Sequence, residues 1–290
     1  MSIDKLQDRI RKTKNPTVID LSVSPELLPT YLLESEGSFL PAYERFCEEL
    51  LEALRPSVPA VRLGFDYFAL LGAGGMEALR RVIQSAKNKG YYIFMDGPEM
   101  LSTHAAALAA ETLLTEDYLF DGLILVSYIG SDGIRPYIDR LKASGKDLFV
   151  VVRTANKTAP ELQDLLTGSR LVHLARADVV NRYAETFVGR YGYSGVSLVA
   201  AASSADSLRN LRAKYKTMFL LLDGYDYANS NAKNCANAFD KLGHGAVVCA
   251  GASVTGAWKA EGGEGWRFAE FSVAAADKMK KNLTRYVTVL

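Results

Sequence analysis

Eight short apolar runs, each followed by a stretch with helical spacing, constrain this chain more than any other feature. The runs lie at 17–22 (TVIDLS), 59–65 (PAVRLGF), 91–96 (YYIFMD), 121–127 (DGLILVS), 148–153 (LFVVVR), 195–200 (GVSLVA), 217–222 (TMFLLL) and 245–250 (GAVVCA). They are continuously apolar rather than alternating, the pattern of parallel strands covered on both faces. Between them, Phe39, Tyr43, Phe46, Leu50 and Leu54 recur every three or four residues, as do Met76, Leu79, Val82 and Ile83. That spacing predicts helices over 38–56 and 76–89. Further helical stretches are expected at 101–115, 131–144, 173–190, 204–214, 231–242 and 265–284. Gly90, Gly145 and Gly243 stand where left-handed helix stops are expected. An amphipathic helix from Ile3 to Lys12 precedes the first run. Eight strand–helix units in 290 residues, with no linker or low-complexity tract, predict a single (β/α)8 barrel domain spanning 1–290. A doubly wound open sheet is the alternative.

Composition excludes several function classes. The chain has 34 Lys+Arg against 33 Asp+Glu, a formal charge of +1, so no excess basic charge drives nucleic-acid or anionic-membrane binding. No apolar run approaches the roughly 18 residues of a membrane span. Residues 1–15 lack the apolar core of a secretory signal, and a cytoplasmic location is expected. Cys47, Cys235 and Cys249 are scattered, and His104, His173 and His244 show no metal-ligand spacing, so neither a metal nor a cofactor is expected.

In such barrels ligands bind where the strands end. The strand ends supply Asp20, Ser22, Arg62, Asp96, Glu99, Ser127, Arg153, Asn156, Asp223 and Asp226 as candidates. Arg62, Asp96 and Arg153 each close an apolar strand, and a charge there must be paired or face a polar cleft. Asp96 is therefore expected to pair with Arg62 or Arg153. Such a group reads either as a structural ion-pair network or as a ligand site.

Several ordered segments resemble the orotidine 5′-phosphate decarboxylase family, in its longer bacterial branch. They are RIRKTKNPTVI with SPELLP near the N-terminus, YIFMD at 92–96 with STHAAALAA at 102–110, SYIGSDGIRPYI at 127–138 and FVVVRTANKTAPELQ at 149–163. The resemblance covers nearly the whole chain. It implies a barrel of a carboxy-lyase family in pyrimidine biosynthesis, converting orotidine monophosphate to UMP and CO2. It also implies a dimer joined across the barrel mouth.

The family's Asp-x-Lys-x-x-Asp motif supplies a Lys general acid. The matching segment here is Asp96-Gly97-Pro98-Glu99-Met100-Leu101, about two residues short. Asp96 matches the first Asp, and Pro98, which has no proton to give, stands at the Lys. Arg62 occupies the family's strand-2 Lys position, and Ser22 that of the first-strand Asp. Thr154 and Asn156 match the Thr-Ser-Asn segment, with Ala155 at the base-reading Ser. The family's phosphate loop is replaced by 222–229, which includes Asp223, Tyr225 and Asp226, and its Ser-Arg pair by Gly251-Ala252. The resemblance thus implies Asp96 and Arg62 as the remaining catalytic-position residues. It leaves Ser22, Glu99, Ser127, Arg153, Thr154, Asn156, Asp223 and Tyr225 as ligand-binding candidates.

Three functional readings follow. One is a non-catalytic paralogue, a pseudoenzyme that acts as a homodimer, as a heterodimer with an active homologue, or as a small-molecule-binding protein. Another is an enzyme with altered chemistry at the mouth. The last is a working decarboxylase with a rearranged site. Met100, Leu101, Tyr128, Ile129, Tyr225 and Tyr227 are expected on the mouth loops, either exposed for a partner or folded back over the cavity.

Overall fold

The computed structural model describes residues 2–290. Eight parallel strands close into a barrel, each formed by one of the apolar runs: β1 (Thr17–Asp20), β2 (Ala60–Gly64), β3 (Tyr92–Asp96), β4 (Gly122–Leu125), β5 (Asp147–Val151), β8 (Ser194–Ala201), β9 (Met218–Asp223) and β10 (Ala246–Ala250). The order around the barrel is β1-β10-β9-β8-β5-β4-β3-β2, and the open-sheet alternative falls. Between β5 and β8 lies an antiparallel hairpin of β6 (Leu166–Thr167) and β7 (Arg170–Leu171), which the sequence pattern did not predict. Two-residue strands with exposed side chains leave no hydrophobic period to read.

Aromatic rings fill the barrel interior. Phe149 meets Phe94 edge-on with centroids 5.0 Å apart and Phe219 with centroids 6.4 Å apart. Below them the Tyr92 hydroxyl donates to Asp147 Oδ2 at 2.7 Å. Outside, the helix Phe39–Leu54 turns its periodic face inward and stacks Phe46 on Phe268 of the last helix, with centroids 4.6 Å apart. Burial of one such ring contributes about 1.5–3 kcal/mol.

The N-terminal amphipathic helix runs over Ser2–Thr13, and Gly145, at φ 66°, ends the helix Arg135–Ser144 as expected. The stretch 231–242 departs from expectation. It forms one α-turn, Ala232–Cys235, and a 3-10 turn, Ala236–Ala238. The chain leaves the helical path at Phe239, whose backbone is extended at φ −89° and ψ 156°. Among the described residues no helix is long and apolar enough to cross a membrane.

Candidate functional site

Three strands end in an aspartate, and all three acids surround one guanidinium. Asp20 ends β1 and pairs in register with Arg62 of β2, while Asp96 ends β3 and Asp223 ends β9. Arg62 Nε lies 3.0 Å from both Asp96 oxygens, its Nη2 2.8 Å from Asp96 Oδ2 and its Nη1 2.6 Å from Asp223 Oδ1. Asp20 Oδ2 stands further off, at 3.9 Å from Nε. The Arg62 side chain is only 13% exposed, and the three acids keep about a quarter to a third of their surface open to the mouth.

Burial alone would make Arg62 easier to deprotonate, but Asp96, Asp223 and Asp20 outweigh it and hold the cation firmly. Two of the acids, Asp96 and Asp20, hold their charge less readily than an ordinary aspartate. Burial pushes the Asp96 carboxyl up to about 6 despite the attraction of Arg62, with Asp20 and Asp223 adding to the rise. Burial likewise raises Asp20 against the pull of Arg62 and of the Ser22 N–H. Three carboxylates against one guanidinium exceed its charge, and the cost of that excess shows in the raised Asp96 and Asp20 carboxyls. Arg62 supplies charge and direction but no titratable proton.

The remaining candidates lie around this centre. Ser22 Oγ accepts the Gly64 N–H at 2.8 Å and joins the ends of β1 and β2. Ser127 is buried and donates to the Gly130 carbonyl at 2.6 Å, which closes its own loop. Glu99 is exposed to solvent, and Tyr225 packs half-buried against the core. Thr154 Oγ1 and Asn156 Oδ1 lie 2.5 Å apart, and Gln163 brackets Thr154 through its Nε2 and Oε1. Arg153 does not join Arg62. Its guanidinium binds both oxygens of Asp164, at 3.1 and 2.8 Å, because the loop after β5 carries that acid back beside it. The expected pairing of Asp96 is therefore met by Arg62 alone.

Asp164 also orders a group that sequence spacing does not reveal. His173 Nδ1 lies 3.1 Å from Asp164 Oδ1 and 3.0 Å from the Gln163 carbonyl, and His173 Nε2 lies 3.1 Å from Ser207 Oγ. Both Nδ1 neighbours accept, so Nδ1 carries the proton and Ser207 donates to Nε2. This has the order of a serine–histidine–aspartate triad, but it is turned inside out. Asp164 is the open end at 30% exposure, while His173 and Ser207 are buried. The serine faces inward, so the group is a latch between the β5 loop and two helices.

Beyond the last strand, the protein sets a carboxylate of its own against backbone and hydroxyl donors. Asp226 Oδ2 accepts the Gly251 N–H at 2.7 Å, and its Oδ1 accepts the Ser253 hydroxyl at the start of the helix Ala252–Thr255. Next to the mouth, a cleft of about 410 Å³ opens between the loops after β5, β8 and β9. A basic cleft of about 580 Å³ at the other end of the barrel has a structural cause. Lys12, Arg55 and Lys89 there lie at the C-terminal ends of three helices, where cations offset the helix dipoles. Among the described residues no group of three or more His, Cys, Asp or Glu could hold a metal ion.

No protein-family model matches the chain. It is 28% identical over 296 residues to an orotidine 5′-phosphate decarboxylase of Rhodopirellula baltica, covering 98% of this chain and 95% of that one. It is 26% identical over 285 residues to the Clostridium novyi enzyme of the same name, with 98% of both chains covered. Solved structures share the fold. The OMP decarboxylase of Leishmania donovani superposes with a TM-score of 0.71 at 20% identity over 98% of both chains. The orotidine 5′-monophosphate decarboxylase of Plasmodium berghei does so with 0.76 at 13% identity, over 97% of this chain and 98% of that one.

Proposed function

We propose that the chain, which resembles orotidine 5′-phosphate decarboxylases over its full length, is a member of that family that no longer decarboxylates orotidine monophosphate and instead works by binding. The observation that carries this reading is Arg62, fixed between Asp96 and Asp223 where the family resemblance expects a lysine. A guanidinium held by two carboxylates gives up no proton near neutrality, and a general acid must lie within hydrogen-bond reach of its target. Pro98, at the general-acid position, offers no replacement. Asp226 adds a further argument, since its carboxylate holds the amide donors that a phosphate after the last strands would need. Purified protein incubated with orotidine 5′-phosphate tests the reading. Loss of substrate absorbance is expected at the uncatalysed rate only, and enzyme-like turnover would overturn it.

The reading takes 1–290 as one domain and places the protein in the cytoplasm as a symmetric homodimer, or as a heterodimer with an active homologue, joined at the mouth face. Exposed apolar side chains on successive mouth loops support the association: Leu70 at 88%, Leu101 at 80% and Tyr128 at 74%. Tyr227 is also exposed, whereas Met100 and Tyr225 pack half-buried against the core.

A second reading, an enzyme of altered chemistry, is favoured by Asp96. A carboxyl held at about 6 next to a fixed cation is placed to take a proton from a bound acid. A bell-shaped or sigmoidal pH–rate profile with an inflection near 6, abolished in Asp96→Asn, would support it once a substrate is in hand.

A further inference from the structure

The basic cleft at the end of the barrel away from the mouth holds more positive charge than helix dipoles explain. Arg55 and Lys89 cap the helices Phe39–Leu54 and Gly72–Asn88, and Lys12 lies in the last turn of the helix Ser2–Thr13. Arg9 comes before that last turn, where the dipole no longer favours a cation. Of the four cations only Lys89 is balanced. Its Nζ lies 2.5 Å from Glu48 and 3.5 Å from Glu52, the one acid in the cleft lining. Lys12 and Arg55 are exposed and have no acidic partner among the described residues.

Arg9 is held as a fixed donor. Its Nε donates to the Pro59 carbonyl at 2.8 Å, and its guanidinium carbon lies 5.7 Å from the centre of the Tyr91 ring. Its two terminal nitrogens donate to nothing among the described residues. Gly90 passes close by at φ 81°, and a Cβ there would come 3.1 Å from Arg9 Nη1. Glycine therefore leaves that side of the fork clear. Burial lowers the Arg9 guanidinium from its ordinary value, Tyr91 and Asp121 act against this, and repulsion by Arg55 lowers it further. Asp121 is itself held by Lys87 at 2.7 Å. The fold thus brings two guanidinium groups near enough to repel, and an anion in the cleft would replace that repulsion with attraction.

We propose that this cleft binds the diphosphate group of a small molecule, with Arg9, Lys12 and Arg55 around it. A diphosphate carries roughly three negative charges near neutrality, matching the three cations that the fold leaves unbalanced. Guanidinium forks fit the paired oxygens of phosphate groups, and two forks on facing elements suit two such groups in one ligand. The volume, about 580 Å³, lies within the ordinary range for small-molecule sites. A bound diphosphate would tie the N-terminal helix to the end of the helix Phe39–Leu54 and so stabilise the fold. The cleft lies at the opposite end of the barrel from Arg62, so the proposal stands or falls apart from any activity at the mouth.

Titration calorimetry on the full chain in about 0.1 M salt tests it with pyrophosphate, ADP, inorganic phosphate and citrate. Saturable binding is expected for pyrophosphate and ADP. Equal affinities would identify a free diphosphate as sufficient, and tighter ADP a diphosphate carried on an organic group. Inorganic phosphate should bind at least about tenfold more weakly, having one phosphate group to offer in place of two. Saturating pyrophosphate should raise Tm by at least about 3 °C. Lys12→Glu and Arg55→Glu, both at exposed positions, should each weaken binding at least about tenfold while the circular-dichroism spectrum stays unchanged. Lys157→Glu, exposed in the cleft beside the mouth, should leave the affinity as it was. No saturation by either diphosphate up to about 10 mM would overturn the proposal. So would equally tight binding of citrate or inorganic phosphate, or a loss of affinity confined to Lys157→Glu.

Discussion

Asp226 accepts the backbone N–H of Gly251 at 2.7 Å and so places a carboxylate at the start of the helix Ala252–Thr255. The loop after β9 thereby caps the element after β10. Replacing Asp226 with Ala removes this cap, and a cap is typically worth about 1 kcal/mol. In a chain of this size that corresponds to a fall in Tm of about 2–4 °C. A scan that finds no change would mean solvent serves the amides equally well.

Arg62 is the single cation that holds three strand-end acids together. Arg62→Met should cost about 2–3 kcal/mol in urea unfolding, less than a fully buried pair because the acids are partly open to water. The loss should be larger at pH 8 than at pH 5, where protonation relieves the unpaired carboxylates. A pH-independent loss would show that packing of the side chain, not its charge, is what matters.

Asp96 carries a pH dependence of definite sign. Its carboxyl sits at about 6 in the folded chain, above an ordinary aspartate near 4. The folded state therefore binds the extra proton between those values. The stability contributed by this group is complete below about pH 4 and is lost as the pH rises through about 6. Asp96→Asn cannot ionise, so its stability relative to the parent should improve by on the order of 1 kcal/mol between pH 4 and pH 7.5, after discounting for solvent screening. A difference that moves the other way would place the folded value below the ordinary one.

The inward-facing latch predicts a stability effect and no chemistry. Ser207→Ala leaves the buried His173 Nε2 without its donor and should cost about 1–3 kcal/mol. A serine-directed fluorophosphonate should leave the parent protein unlabelled at Ser207. Labelling there would make the group a working triad.

Association should be visible by light scattering at tens of micromolar, as a particle of twice the chain mass. Leu101→Glu with Tyr128→Glu, both on exposed mouth loops, should shift it to the monomer. A monomer in the parent, alone and with an active homologue, would refute the dimer.

The barrel was legible because each strand is a continuous apolar run, and burial on both faces imposes that pattern locally. The placement of Asp96 beside Arg62 was legible for a related reason. A charge at the end of an apolar strand must find a partner, and adjacent parallel strands put one within reach. The partner of Arg153 was not legible. Asp164 arrives through a loop whose path depends on Gln163 bracketing Thr154 and on His173 contacts from another helix, none of which has a period. Ser207 escaped for the same reason, standing 34 positions from the histidine it serves.

The seam between β1 and β10 pairs Thr17 with Val248 and Ile19 with Ala250. The first strand to leave the ribosome thus waits for the last before its second edge is covered. At ordinary synthesis rates that interval is roughly 12–50 s. Throughout it the nascent chain exposes an unpaired apolar edge, the kind of surface on which strands from neighbouring chains add. Closure of the barrel therefore depends on the last strand to be made, however early the first one is in place.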